Sequence, residues 1–185
     1  MYIASFASTL TLPLAVACDT GIQTVQALTN MVKEDRSASV TITAGLTPMI
    51  CKLLVAHNPS SSLTAHGKCL LESLLVTVQN VSVWSAAKLS LVTAGIIPAL
   101  LPCIQADQEP DVQRVACSSL ALILVCIPAK KQAHPLCEPL VALLCSTSHR
   151  EIYVNVKQAL KSACEEATFR EACACVVPYF CIEFL

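Results

Sequence analysis

The chain has 185 residues, of which 55% are hydrophobic and 14% charged, and 12 Lys plus Arg against 13 Asp plus Glu leave a net charge of −1. A chain this neutral lacks the basic footprint that a phosphate backbone requires, which excludes nucleic-acid binding. Its apolar excess excludes intrinsic disorder, and 4 glycines are too few for a nucleotide-cradling loop or a turn-rich β-sandwich.

From the N-terminus, Met1 to Cys18 carries no charge, and Leu12-Pro-Leu-Ala-Val-Ala-Cys18 reads like a cleavage region. A secretory signal needs a basic residue ahead of its apolar core, whereas the first here is Lys33. The segment through Leu10, Leu12, Leu14 and Val16 is therefore expected to be a buried helix, followed by the inter-helix turn Lys33-Glu-Asp-Arg36. A mean hydropathy of +0.63 raises the question of a membrane span. A spanning helix needs about 20 predominantly apolar residues. The stretch after Arg36 is filled by Ser37, Ser39, Thr41, Thr43 and Thr47, and the one after Arg114 is interrupted by Ser118 and Ser119 and closed by Pro128. No integral span is predicted.

Four segments share a proline followed by an apolar helix: Ala44-Gly-Leu-Thr-Pro48, Ala94-Gly-Ile-Ile-Pro98, Leu136-Cys-Glu-Pro139 and Cys175-Val-Val-Pro178. Proline is tolerated in a helix's first turn, where its missing N–H has no intrahelical partner, and Gly45 and Gly95 permit a sharp turn before it. Each of the first three prolines leads into an apolar helix, a polar break and a longer second helix. The breaks are His57–Ser62, Gln105–Pro110 and Ser146–His149, and the second helices run from Leu63 to Val78, from Asp111 to Leu124, and through Val154, Val156, Ala159, Leu160 and Ala163. The spacing of the prolines, near 40–50 residues, suits stacked helical repeats. It predicts one solenoid over 1–185, with units 1–43 (partial), 44–93, 94–134, 135–174 and 175–185 (partial). Leu53, Leu54, Leu71, Leu74, Leu100, Leu101, Ile104, Val115, Leu120, Leu124, Leu140, Leu143, Leu144 and Leu160 are its predicted core, and Trp84 is expected to pack within an apolar helix.

The 12 cysteines lie mostly inside apolar helical runs, as in Met49-Ile-Cys-Lys-Leu-Leu54 and Val141-Ala-Leu-Leu-Cys145. They read as reduced core thiols of a cytoplasmic or ciliary compartment rather than a disulfide framework. His134-x2-Cys137 with Cys145-x3-His149 is the nearest approach to zinc spacing, but two cysteines eight apart in one apolar stretch suit a helix face better, so no metal and no cofactor are expected. His57, His66, His134 and His149 fall at or near loops and are expected to be solvated. Glu165-Glu166 are helix neighbours that cannot face one another. No nucleophile, base and orienting group converge, and no enzyme is predicted.

Ala94-Gly-Ile-Ile-Pro-Ala-Leu-Leu101 with Pro110-Asp-Val-Gln113 resembles the turn, second helix and start of the third helix of the armadillo repeat. Ala44-Gly-Leu-Thr-Pro48 resembles the same turn, and Val25-Gln-Ala-Leu-Thr-Asn-Met31 the end of a third helix. The unit opened by Pro139 lacks the glycine and carries Glu138 at a usually apolar position, drifting toward HEAT repeats. The resemblance implies an all-α, right-handed α-solenoid of about four armadillo/HEAT-like repeats. It also implies a non-enzymatic protein-interaction scaffold or adaptor, part of a larger assembly such as a ciliary, transport or regulatory complex, in the reducing cytoplasm or an axonemal setting. A membrane-associated hydrophobic helical protein is the alternative.

In the armadillo family the third helices line a concave groove, and nuclear-import members project a Trp and an Asn four residues later from one face. Those positions here are Gln26 and Asn30, Cys69 and Ser73, Ser118 and Leu122, and Gln158 and Ser162. Only Asn30 matches, so nuclear-localisation peptides are not the expected ligand. A neutral groove for a helix or an extended peptide of a protein partner is. Neither end carries a polar cap, and Tyr179, Phe180, Ile182, Phe184 and Leu185 make the last ten residues strongly apolar. End-to-end association through those residues is the expectation.

Overall fold

The computed structural model describes residues 25–27, 30, 45–57 and 65–176. The described residues form helices and turns, with no strand among them. They divide into two compact units, Met1–Ala99 and Leu100–Leu185. The terminal segment of Tyr179, Phe180, Ile182, Phe184 and Leu185, and the apolar N-terminal stretch, lie outside the described residues.

In the first unit, α1 (Leu46–Ala56) leads to α2 (Ala65–Val81), α3 (Ser85–Thr93) and α4 (Ile96–Leu100), whose last residue falls at the unit boundary. Gly45 precedes α1 with φ 68° and Gly95 precedes α4 with φ 87°, a left-handed backbone that side chains disfavour. Pro48 and Pro98 each stand third in the helix that follows, where no intrahelical N–H bond is forfeited. Leu46, Ile50 and Leu54 recur every four residues and form the buried stripe of α1, which packs on α2 and α3. Opposite them stand Leu71, Leu74, Leu75, Val78 and Leu91, all 1% exposed or less. Thr47 and Ser90 share a 2.9 Å hydrogen bond between α1 and α3, which satisfies a fully buried hydroxyl at the seam.

In the second unit a 3₁₀ turn (Leu101–Ile104) is followed by α5 (Pro110–Ile123), α6 (Ile127–Gln132), a second 3₁₀ turn (His134–Leu136), α7 (Cys137–Ser146), α8 (Arg150–Ala163) and α9 (Ala167–Val176). The most extensive packing joins α5 to α8, while α7 lies against both α8 and α9. Ala116, Ala159 and Ala163 are buried on the α5 and α8 faces beside Leu120, Val156 and Leu160, a small-and-large mixture that lets helices interdigitate. Pro110 and Asp111 occupy the first turn of α5, suited to its missing N–H partners and its positive end. The buried Gln113 amide donates a 2.7 Å hydrogen bond to the Gln105 carbonyl and so folds the polar break back onto α5.

Of the predicted core, Leu53 and Leu101 are half-buried and the others are buried. Trp84 departs from expectation. It stands in the Ser82–Trp84 turn, half-buried and extended at φ −92°, as the residue capping α3. The stretch Val81–Ala87 therefore breaks into a helix end, a turn and a new helix, because Ser82 turns its hydroxyl back onto the Val78 carbonyl at 2.6 Å and ends α2.

Candidate functional site

The long helices α2, α5 and α8, of 17, 14 and 14 residues, carry the sequence-predicted groove positions. On α2, Cys69 and Ser73 are half-buried, one turn apart on a single face. On α5, Ser118 and Leu122 are half-buried too, while the neighbouring Ser119 is buried and donates to the Val115 carbonyl at 2.9 Å. On α8, Gln158 is exposed but Ser162 is only 5% exposed, so this pair presents one side chain rather than two. The small Ser162 sinks beside Ala159 and Ala163, in the row that packs the helix. Gln26 and Asn30 are exposed helical residues ahead of α1. Because α5 and α8 pack together, Ser118, Leu122 and Gln158 stand on adjacent helices of the second unit.

None of these side chains is charged. An ion pair lies close by: Arg114, one turn ahead of Ser118, stands 3.8 Å from Glu151 between α5 and α8, both side chains open to solvent. The buried Lys130 of α6 pairs with Glu165 in the turn after α8, keeping its ammonium compensated. Tyr153 and Val154 add exposed apolar surface on α8, although the sequence pattern sets Val154 in the same helical run as the buried Val156 and Leu160. Their exposure became legible only with the helix's facing.

The thiols and imidazoles argue against nucleophilic chemistry at most positions. Burial pushes Cys51, Cys103 and Cys117 up to about 12, which keeps them protonated and inert. His134 and His149 are exposed, as expected for loops. His57 is not solvated as predicted. It is half-buried at the end of α1, burial lowers its pKa, and its buried Nε2 finds no hydrogen-bond partner among the described residues. A shallow open cleft of about 210 Å³, lined by Cys51, Lys52, Val55, Ala94 and Gly95, falls below the roughly 300–1,000 Å³ of small-molecule sites. Among the described residues no three His, Cys, Asp or Glu are placed to hold a metal ion. No single described helix is long and apolar enough to cross a membrane.

Residues 85–125 match the armadillo/β-catenin-like repeat, the segment that runs from the start of α3 to just past α5. This frame takes in the short helix α3, ahead of Ala94, where the sequence period places its unit boundary. No curated protein matches the chain in sequence. A computationally designed armadillo repeat protein for modular peptide recognition is similar in structure over 98% of this chain and 73% of its own, with 16% identity and a TM-score of 0.79. A second engineered protein is similar over 98% and 72%, with 18% identity and a TM-score of 0.78. A designed armadillo repeat protein in complex with the peptide (KR)4 is similar over 96% and 71%, with 16% identity and a TM-score of 0.73. At such identities the likeness is one of fold. The described residues thus have the all-α helical-repeat fold of armadillo proteins, and residues 85–125 match the armadillo/β-catenin-like repeat itself.

Proposed function

We propose that the chain is a non-enzymatic interaction scaffold whose third helices bind an extended peptide of a protein partner. The observation that carries this reading is that the uncharged Ser118, Leu122 and Gln158 are half-buried or exposed on the packed helices α5 and α8. Similarity to designed armadillo proteins made for peptide recognition supports it. The (KR)4 peptide bound by one such protein is strongly basic. The third-helix positions here offer no carboxylate to such a ligand, so the fitting peptide is neutral, held by backbone hydrogen bonds and modest apolar contacts. A cytoplasmic or ciliary complex in a reducing compartment is the setting that the many buried thiols favour.

Selection of a displayed random-peptide library on the full chain tests the reading. Neutral, partly apolar peptides should be enriched over (KR)4. Their binding should drop tenfold or more in a Ser118→Arg, Gln158→Arg double variant that keeps its helical circular dichroism. Failure to enrich any peptide, or enriched peptides indifferent to both substitutions, would overturn the assignment.

A further inference from the structure

The second unit gathers three cysteines that the scaffold reading does not use. Cys137 is the first residue of α7, Cys173 lies in α9, and Cys164 directly follows α8. The Sγ atoms of Cys137 and Cys173 are 3.0 Å apart, in a site where the two residues are 3% and 0% exposed. Cys164 is half-buried and therefore the open member of the group, and it stands near enough to Cys173 for the two thiols to perturb one another's ionisation. These residues lie 36 apart at the ends of the cluster, so their approach is made by the packing of α7 on α9 rather than by chain neighbourhood.

We propose that Cys137, Cys164 and Cys173 form an oxidisable thiol relay, in which a peroxide enters at Cys164 and the product is a buried Cys137–Cys173 disulfide tying α7 to α9. A covalent S–S bond is 2.03–2.05 Å, so the closing pair needs a shift of only about 1 Å. The hydrogen bond from Cys173 lowers the Cys164 pKa, with Arg170 adding to the effect, while the same bond and burial raise that of Cys173. Cys164 thus ionises more readily than Cys173, and the thiolate is the nucleophile.

The steps balance. The Cys164 thiolate attacks one peroxide oxygen; an S–O bond forms, the O–O bond breaks, and hydroxide leaves to take up a proton as water. The Cys173 thiol then attacks the Cys164 sulfenic sulfur; an S–S bond forms, the S–O bond breaks, and the hydroxyl departs with the thiol proton as a second water. Cys137 attacks Cys173 Sγ in that mixed disulfide and gives up its proton, and Cys164 leaves as a thiolate. Exchange runs in this direction because the thiol of lower pKa is the better leaving group. Two thiols and one hydrogen peroxide become one disulfide and two waters, each disulfide sulfur losing one electron and each peroxide oxygen gaining one.

The test uses the reduced full chain, treated with stoichiometric hydrogen peroxide, blocked with N-ethylmaleimide and mapped by non-reducing peptide mass spectrometry. The expected product is a Cys137–Cys173 cross-link, with Cys164 and the exposed Cys145 and Cys175 recovered alkylated rather than oxidised. Cys164→Ala should slow cross-linking at least tenfold, and Cys137→Ala should halt the reaction at a Cys164–Cys173 bond. Oxidation confined to Cys145 or Cys175 in the wild type would overturn the proposal, whether or not the variants fold. So would a folded Cys164→Ala variant that cross-links at the wild-type rate. Peptide binding plays no part in these readouts, so this inference and the scaffold reading stand or fall separately.

Discussion

The corner before α4 and the corner before α7 lead into corresponding helices, each with its proline third, yet they are built differently. At Gly95 the backbone is left-handed at φ 87°, and its N–H bonds the Val92 carbonyl at 3.1 Å. At Ala133 the backbone is right-handed at φ −74°, and a 3₁₀ turn over His134–Leu136 carries the chain round, with the Leu136 N–H on the Ala133 carbonyl at 2.7 Å. Both corners deliver a fully buried side chain just beyond them, Ile96 in one and Leu136 in the other. What is common is thus the buried anchor, and the backbone route to it is negotiable. This is why the repeat pattern weakens around residue 134 without any break in the helical order.

The strongest way to break the comparison is to remove the anchors. Ile96→Ala and Leu136→Ala should each cost about 2–5 kcal/mol in urea-unfolding stability, since each empties a fully buried site. A loss below 1 kcal/mol at either would mean that its corner is set by local backbone preference instead.

A reciprocal exchange at the turns sharpens it. Gly95→Ala should lose about 1–2 kcal/mol through left-handed strain alone. The nearest heavy atom to an added Cβ is Pro98 Cγ at 4.0 Å, so no clash contributes. Ala133→Gly should also destabilise, by about 1–2 kcal/mol, because the new glycine enlarges the freedom of the unfolded chain and a fully buried methyl is lost. If both exchanges shift the thermal midpoint in opposite directions, the two corners are not the distinct structures described.

The smallest effect concerns where the helices after these corners end. α1 ends at the half-buried His57, and α7 ends at Thr147, whose hydroxyl accepts the His149 N–H at 3.2 Å. A histidine with its pKa lowered below 6.5 by burial favours the fold while neutral. That stability is fully present above pH 6.5 and is lost as the pH falls toward the folded pKa. Hydrogen exchange in α1 should accordingly quicken on acidification from pH 7 to 5, more than exchange in α7 after correction for intrinsic rates. His57→Gln should remove the difference. Equal acid sensitivity of the two helices would contradict the assignment to His57.

The helical class, the polar breaks and most of the buried leucines were legible in the sequence because they rest on local rules. Proline belongs in first turns, glycine at left-handed corners, and apolar residues on one stripe of an amphipathic helix. The Gln105–Pro110 and Ser146–His149 breaks stand where α5 and α8 begin. The candidate groove positions come from the resemblance to the armadillo repeat, and the i, i+4 spacing only puts the two members of each pair on one helix face. Which of those residues reach the surface was decided by tertiary packing: Ser162 is small enough to be absorbed between helices, whereas Gln158 is left exposed. The same holds for Trp84, drawn into a turn, for His57, half-buried at the end of α1, and for the Cys137–Cys173 approach at 3.0 Å across 36 residues of chain. Local propensity acts over a few residues. Contacts between helices depend on which stripe each buries against the next, and only the folded arrangement settles that.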